Sequence, residues 1–159
     1  MPKIQRAPFQ VLVLPYYIIT ARRQIEYAIF RRKDIDIWQG IAGGGNAGEN
    51  SLEAAKRESL EEGQISSNNQ FIKLDSKATI PVKYVIGDFL WGSETYVIPE
   101  YCFGVHVKEQ NVIISKEHAE FNWVSFDKAM EMLKWDSNKN ALWELNERLH
   151  TNGTIIRSI

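Results

Sequence analysis

GGGNAGENSLEAAKRESLEEGQI, Gly43 to Ile65, is the stretch on which the reading of this chain turns. Gly43, Gly44, Gly45 and Gly48 predict a glycine-rich loop, in which positive φ and close backbone approach to a ligand are both open. A helix then starts at Asn50 or Ser51. Asn50 and Glu53 stand at capping-box spacing, and no proline or glycine follows before Gly63. Leu52, Ala55 and Ser59 form a stripe that can pack inward. At roughly 100° per residue, Glu58, Glu61 and Glu62 share a neighbouring face. Three like charges repel there, in the last turns of the helix, where its dipole favours cations. One reading is a solvated acidic face steadied by Glu53–Arg57 and Arg57–Glu61 pairs. The other is a bound divalent cation, because carboxylate oxygens are the ligands Mg²⁺ takes.

The spacing decides between them. Gly43, Glu49, Arg57, Glu58, Glu61 and Glu62 fit G-x5-E-x7-R-E-x2-E-E. Six fixed positions match by chance on the order of 10⁻⁷ per window. The pattern resembles the Nudix box, the signature of the Nudix hydrolases. Ser59 stands where that pattern has an apolar residue and Gln64 where it has glycine, while Ile65 fits. Both departures concern the helix and its end, since glycine supplies the left-handed residue that closes such helices. The charged positions all hold.

The resemblance implies an α/β fold, an α/β/α sandwich with a mixed sheet between helices, in a single Nudix domain over residues 1–159. It implies an enzyme, a pyrophosphohydrolase that cuts a phosphoanhydride with Mg²⁺, or with Mn²⁺ in its place. Glu58, Glu61 and Glu62 become metal ligands and catalytic groups, joined by a backbone carbonyl near Ala42. Arg57 becomes their orienter, its planar fork suited to bidentate pairing with a carboxylate. Glu49 becomes a supporting group or a further ligand, and Gly43 and Gly44 line the phosphate side.

Outside the box the chain resembles one branch, the dATP pyrophosphohydrolase and dihydroneopterin triphosphate pyrophosphatase type. The likeness lies in Trp38-Gln39, in Glu117-His118-x2-Phe121-x-Trp123, and in Trp135 with Asn138. It implies a nucleoside or pterin triphosphate, cut to the monophosphate and pyrophosphate. Dinucleoside polyphosphates, nucleotide sugars and oxidised nucleotides stay open as substrates, and so does a domain that binds a nucleotide without cutting it. The likeness adds Glu117 as a fourth carboxylate, for metal binding or as general base, and Trp38 on the substrate side.

The remaining residues read as a frame. Phe9 to Ile19 predicts a strand buried on both faces, and Gln24 to Phe30 its hairpin partner across a turn at Thr20–Arg23. Of the basic cluster Arg31, Arg32 and Lys33, Arg32 is the candidate to meet a polyphosphate. Ile35 to Ala42 predicts a short strand feeding the glycines. Phe71 to Ile86 and Val97 to Val107 predict two long strands. Between them Phe89, Trp91 and Tyr96 offer flat surfaces on which a base or pterin can stack. Asn111 to Glu120 is a polar loop, and Phe121 to Val124 a short strand. Ser125 caps a small helix running to about Lys134. A last helix, Asn138 to His150, takes its cap from Asp136 or Ser137, and Gly153 follows as its stop. It turns Leu142, Leu145 and Leu149 inward.

Of the 159 residues 44% are hydrophobic and 25% charged, and the net charge is −1, so no general attraction for nucleic acid or anionic membrane is expected. The run around Phe9 contains Pro15 and falls short of the roughly 20 residues that span a bilayer. No signal peptide is evident. Cys102 is the single cysteine, so no intrachain disulfide forms and a cytoplasmic protein is expected; its apolar surroundings predict a buried inert thiol. The expected partner is a small nucleotide-like molecule. Homodimers are common for folds of this size, but nothing marks an interface.

Overall fold

The apolar run around Phe9 becomes β1 (Arg6–Ile19) in the computed structural model, which describes residues 5–85, 90–110, 112–113 and 118–151. β1 begins earlier than its apolar residues do. It lies at the centre of the sheet, where β2 (Gln24–Arg32) pairs antiparallel with its second half and β4 (Ile41–Asn46) antiparallel with its first. Along its other side runs β6 (Val97–His106), parallel, from Gln10 opposite Glu100 to Tyr16 opposite His106. Pro15 can sit in this central strand for a local reason. The ladder with β4 ends at Val13 and that with β2 begins at Tyr16, so the missing N–H falls between two partners. β3 (Trp38–Gln39) and β7 (His118–Val124) add to β2, and β5 (Phe71–Pro81) adds to β6.

Successive residues of β1 face opposite sides, and each side has its own cover. Val11 and Val13 meet Ala54 and Ala55 of α1 (Ser51–Gly63). Leu12, Leu14 and Tyr16 meet Ala129 of α3 (Phe126–Met132) and Leu142, Leu145 and Leu149 of α4 (Asp136–Thr151). The result is the expected α/β/α sandwich around a mixed seven-stranded sheet. Among the described residues no helix is long and apolar enough to cross a membrane.

Several local expectations change. The glycine-rich loop is a strand: Gly43 and Gly44 pair with Val11 and Gln10, and of the glycines singled out only Gly48 takes a positive φ, 88°. Glycine is needed at 43 and 44 for closeness, because a Cβ at Gly43 would fall on the Glu58 carboxyl and one at Gly44 on the Arg6 guanidinium. The strand expected over Phe71 to Ile86 stops at Pro81, which has no N–H to donate, and α2 (Val82–Val85) follows. Ile86 and Phe89 lie outside the described residues, as do Glu117 and Gly153. β7 starts at His118, three residues before the expected strand. Asp136 is the first residue of α4 instead of its cap, whereas Ser125 does cap α3 by accepting the Lys128 N–H at 3.2 Å.

α1 begins as predicted, with both halves of its capping box formed between Asn50 and Glu53 at 2.8 and 2.9 Å. Glu53 is thereby occupied and makes no pair with Arg57. Leu52 is exposed, and the inward stripe runs instead through Ala54, Ala55, Glu58, Ser59 and Glu62. At the far end Gln64 takes the left-handed conformation itself, φ 51°, and its N–H closes the helix on the Leu60 carbonyl. Buried Ser59 donates to the Ala55 carbonyl at 2.7 Å, which satisfies its hydroxyl where an apolar side chain was expected.

α4 is fastened to the sheet by more than leucines. The Glu144 carboxylate accepts the Asp75 and Ser76 backbone N–H groups, the Ser76 hydroxyl and the Arg148 Nε–H, all within 2.6–2.8 Å. Burial pushes its pKa upward, but those donors, Ser76 foremost, bring it down to about 2.

Candidate active site

A cleft of about 1390 Å³ opens where the first half of β1, the glycines of β4, the C-terminal half of α1 and the start of α4 come together. Glu58, Glu61 and Glu62 all line it. Two of the three are buried, Glu58 at 8% and Glu62 at 6% exposure, and one turn of helix sets them on the same face. The Glu61 side chain is 57% exposed at the rim. Two buried carboxylates late in a helix are costly by dipole and by desolvation alike. A helix selected for stability alone would not carry them.

Arg57 holds the group together. Its Nε–H and an Nη2–H donate bidentately to Glu49 at 2.8 and 3.0 Å. Nη1 donates to Glu58 at 2.8 Å and to Glu61 at 3.3 Å, and Nη2 also reaches the Gly44 carbonyl at 2.7 Å. Glu49 in turn accepts the Asn46 N–H at 2.8 Å. Hydrogen bonding to Arg57 holds the Glu49 carboxyl below its usual range, and that pairing raises the Arg57 guanidinium. One planar side chain thus ties the glycine strand to three carboxylates of the box. His118 packs beside Glu62, Nε2 to Oε2 at 3.8 Å, with its ring against Phe30.

Other candidates fare unequally. Ala42, Gly43 and Gly44 line the cleft. Arg32 does too, but both its Nε and Nη2 are engaged by the Asp34 carboxylate beside it. Trp38 does not: it packs against the α4-side core, and its carbonyl accepts the Lys134 N–H. Its neighbour Gln39 lines the cleft instead, accepting from Trp135 Nε1–H at 3.3 Å. Buried Asn138 accepts the Gly40 N–H at 2.8 Å and so pins the start of β4 to α4. Trp91 donates its indole N–H to the Arg6 carbonyl at 2.8 Å, which makes it a strut for the end of β1. Tyr96 is exposed and does not line the cleft. Cys102 is buried, and burial raises its thiol to about 12, as befits an inert side chain.

Two cleft residues escape sequence reading. Arg6 lies over Gly44 with Nε and Nη2 buried and without hydrogen-bond partners. Burial lowers its pKa while the nearby Glu58 charge works the other way. Glu100, on β6, also lines the cleft. Each is a single charged residue in a strand, and no spacing rule marks it.

Oxygen donors dominate the α1 end of the cleft, and that is the chemistry of a hard divalent cation. Among the described residues no three acidic, histidine or cysteine side chains converge closely enough to hold an ion as they stand.

A profile of the NUDIX domain matches residues 16–144. The chain belongs to the Nudix family. Like the relatives it resembles, this Nudix protein is a hydrolase. The dihydroneopterin triphosphate diphosphatase of Escherichia coli K12 is 26% identical to it over 144 residues, covering 88% of this chain and 93% of that protein. The Haemophilus influenzae protein of the same name is 28% identical over 114 residues, covering 70% and 72%. A crystal structure described as a Nudix hydrolase of Listeria monocytogenes superposes with a TM-score of 0.82 at 42% identity, over 92% of this chain and 97% of that one.

Proposed function

We propose that this Nudix hydrolase cleaves a nucleoside or pterin triphosphate in the cytoplasm, releasing pyrophosphate and the monophosphate. The observation that carries the reading is the pair of buried carboxylates at the cleft, Glu58 held by Arg57 and Glu62 one turn on beside His118. Glu58, Glu61 and Glu62, with the Ala42 carbonyl, would hold Mg²⁺ or Mn²⁺. Glu117 is a further candidate, for the metal or as general base. The cation supplies Lewis-acid neutralisation of phosphate charge and eases deprotonation of the attacking water.

The chain's own residues do the rest. Arg57 fixes Glu58 while leaving Glu62 clear of its fork. Arg6, with two donor nitrogens uncommitted, is better placed than Arg32 to bind a phosphate oxygen. Gly43 and Gly44 let the carboxylate and the guanidinium approach the strand so closely. The diphosphatases named above support a triphosphate as substrate.

The test is a panel of dATP, dGTP, dihydroneopterin triphosphate and diadenosine tetraphosphate with Mg²⁺, read by release of pyrophosphate from the triphosphates and by release of mononucleotides from the tetraphosphate. Pyrophosphate from the triphosphates is the expected result. Cleavage of the dinucleotide alone would overturn the assignment.

A further inference from the structure

The cleft holds a carboxyl group, Glu100, that stands apart from the carboxylates of α1. Glu100 is 5% exposed, and its Oε1 is buried without a hydrogen-bond partner. It shares a sheet face with Cys102, two residues on, and so stands on the α4 side of the sheet. The ladders give its place relative to the box. Glu100 lies opposite Gln10 on β1, and Gln10 lies opposite Gly44 on β4. Two strand spacings, about 10 Å, therefore separate Glu100 from the glycine over which Arg6 lies. A nucleoside covers such a span between the edge of its ring and its first phosphates.

A buried carboxyl lacking donors is expensive, and the group needs an explanation. Gln10 flanks it within the cleft, and the exposed rings of Tyr84 and Trp135 line the same space, as walls against which a flat ring can lie. An ionised carboxylate only accepts, through two oxygens side by side. Its planar complement is a ring edge with two adjacent donors, an N–H next to an exocyclic NH₂. Guanine and pterin, both 2-amino-4-oxo rings, present that edge. Adenine and cytosine set an amino donor beside a ring acceptor, and thymine alternates acceptor, donor, acceptor.

We propose that Glu100 reads the substrate's ring, accepting the paired N–H donors of a 2-amino-4-oxo heterocycle whose triphosphate extends toward α1. This rests on the triphosphate reading above and narrows it. A site built to receive such donors rejects rings that lack them far more strongly than an apolar pocket could.

The experiment measures binding without metal or turnover, at pH 7.5, above the value of about 7 to which burial raises this carboxyl and below the range in which pterin loses its own ring N–H. Pterin is followed by its own fluorescence, with guanosine and adenosine as competitors. Wild type should bind pterin and guanosine at least tenfold more tightly than adenosine. Glu100→Gln, with one donor and one acceptor, should weaken pterin at least tenfold and invert the order in favour of adenosine. Glu100→Asp keeps the charge and should keep the order, which serves if the glutamine variant does not fold. Pterin affinity within twofold of wild type in a folded Glu100→Gln, or a wild type that prefers adenosine, would overturn the proposal. Cleavage is scored separately. Glu100-dependent pterin binding with no pyrophosphate released from any triphosphate would remove the triphosphate reading and leave only the ring contact at Glu100 standing.

Discussion

The two long helices cover opposite faces of one sheet, and they are built differently. α4 lays Leu142, Leu145 and Leu149 against the sheet, and the one carboxylate it brings there, Glu144, is saturated with donors. α1 lays down two alanines and then two buried glutamates that open on the cleft. A carboxylate surrounded by donors is glue, with its pKa held near 2. Carboxylates placed late in a helix, beside a guanidinium that can be shared, form a receptacle for positive charge. Burial alone does not tell the two apart; Glu58 and Glu62 line the cleft, and Glu144 does not.

Substitutions can break that contrast or sharpen it. Glu62→Gln keeps volume and removes charge, so turnover with Mg²⁺ should fall roughly 10³-fold, as measured by pyrophosphate release, while the melting curve stays cooperative. Leu145→Ala, on the other helix, should do the reverse. Leu145 is fully buried against Gly104, and its loss should cost about 3 kcal/mol in urea unfolding with activity per folded molecule unchanged.

A pH titration of stability separates the two kinds of carboxyl more finely. Burial raises Glu100 from an ordinary 4.5 to about 7, so the fold binds a proton there that the unfolded chain has given up. Stability should therefore fall as pH rises from about 4.5 through 7, by about 3 kcal/mol, and Glu100→Gln should abolish that fall. Glu144 has the opposite sign. Its folded value is depressed, so its contribution is present above 4.5 and is lost as pH falls toward 2. The smallest effect is expected at the end of α1, where Gln64→Gly should relieve a left-handed side chain and add about 1 kcal/mol.

What the sequence makes legible follows from how these parts are specified. The box reads clearly because helical periodicity alone places Glu58, Glu61 and Glu62, and Asn50 with Glu53 marks where the helix starts. The α4 leucines read clearly for the same reason. Arg6 and Glu100 do not, because neither belongs to a local pattern. Strand register brings them to the box, Arg6 opposite Asn46 and Glu100 through Gln10 opposite Gly44, and register is a property of the sheet. The glycines mislead in another way. Glycine ordinarily signals a turn, yet Gly43 and Gly44 lie in a paired strand and are small so that Glu58 and Arg6 can close on them. Arg32 looks like a phosphate ligand until its neighbour Asp34 is seen to engage it.

The most direct test of the central claim needs no substrate. Thermal unfolding of wild type and of Glu62→Gln is followed across a Mg²⁺ titration. If the buried glutamates of α1 receive the ion, wild-type Tm rises with the logarithm of the Mg²⁺ concentration above the dissociation constant, by roughly 5–10 °C at 100 times that constant, and the variant stays flat. An equal rise in both proteins, or none in wild type with Mg²⁺ or Mn²⁺, would contradict it.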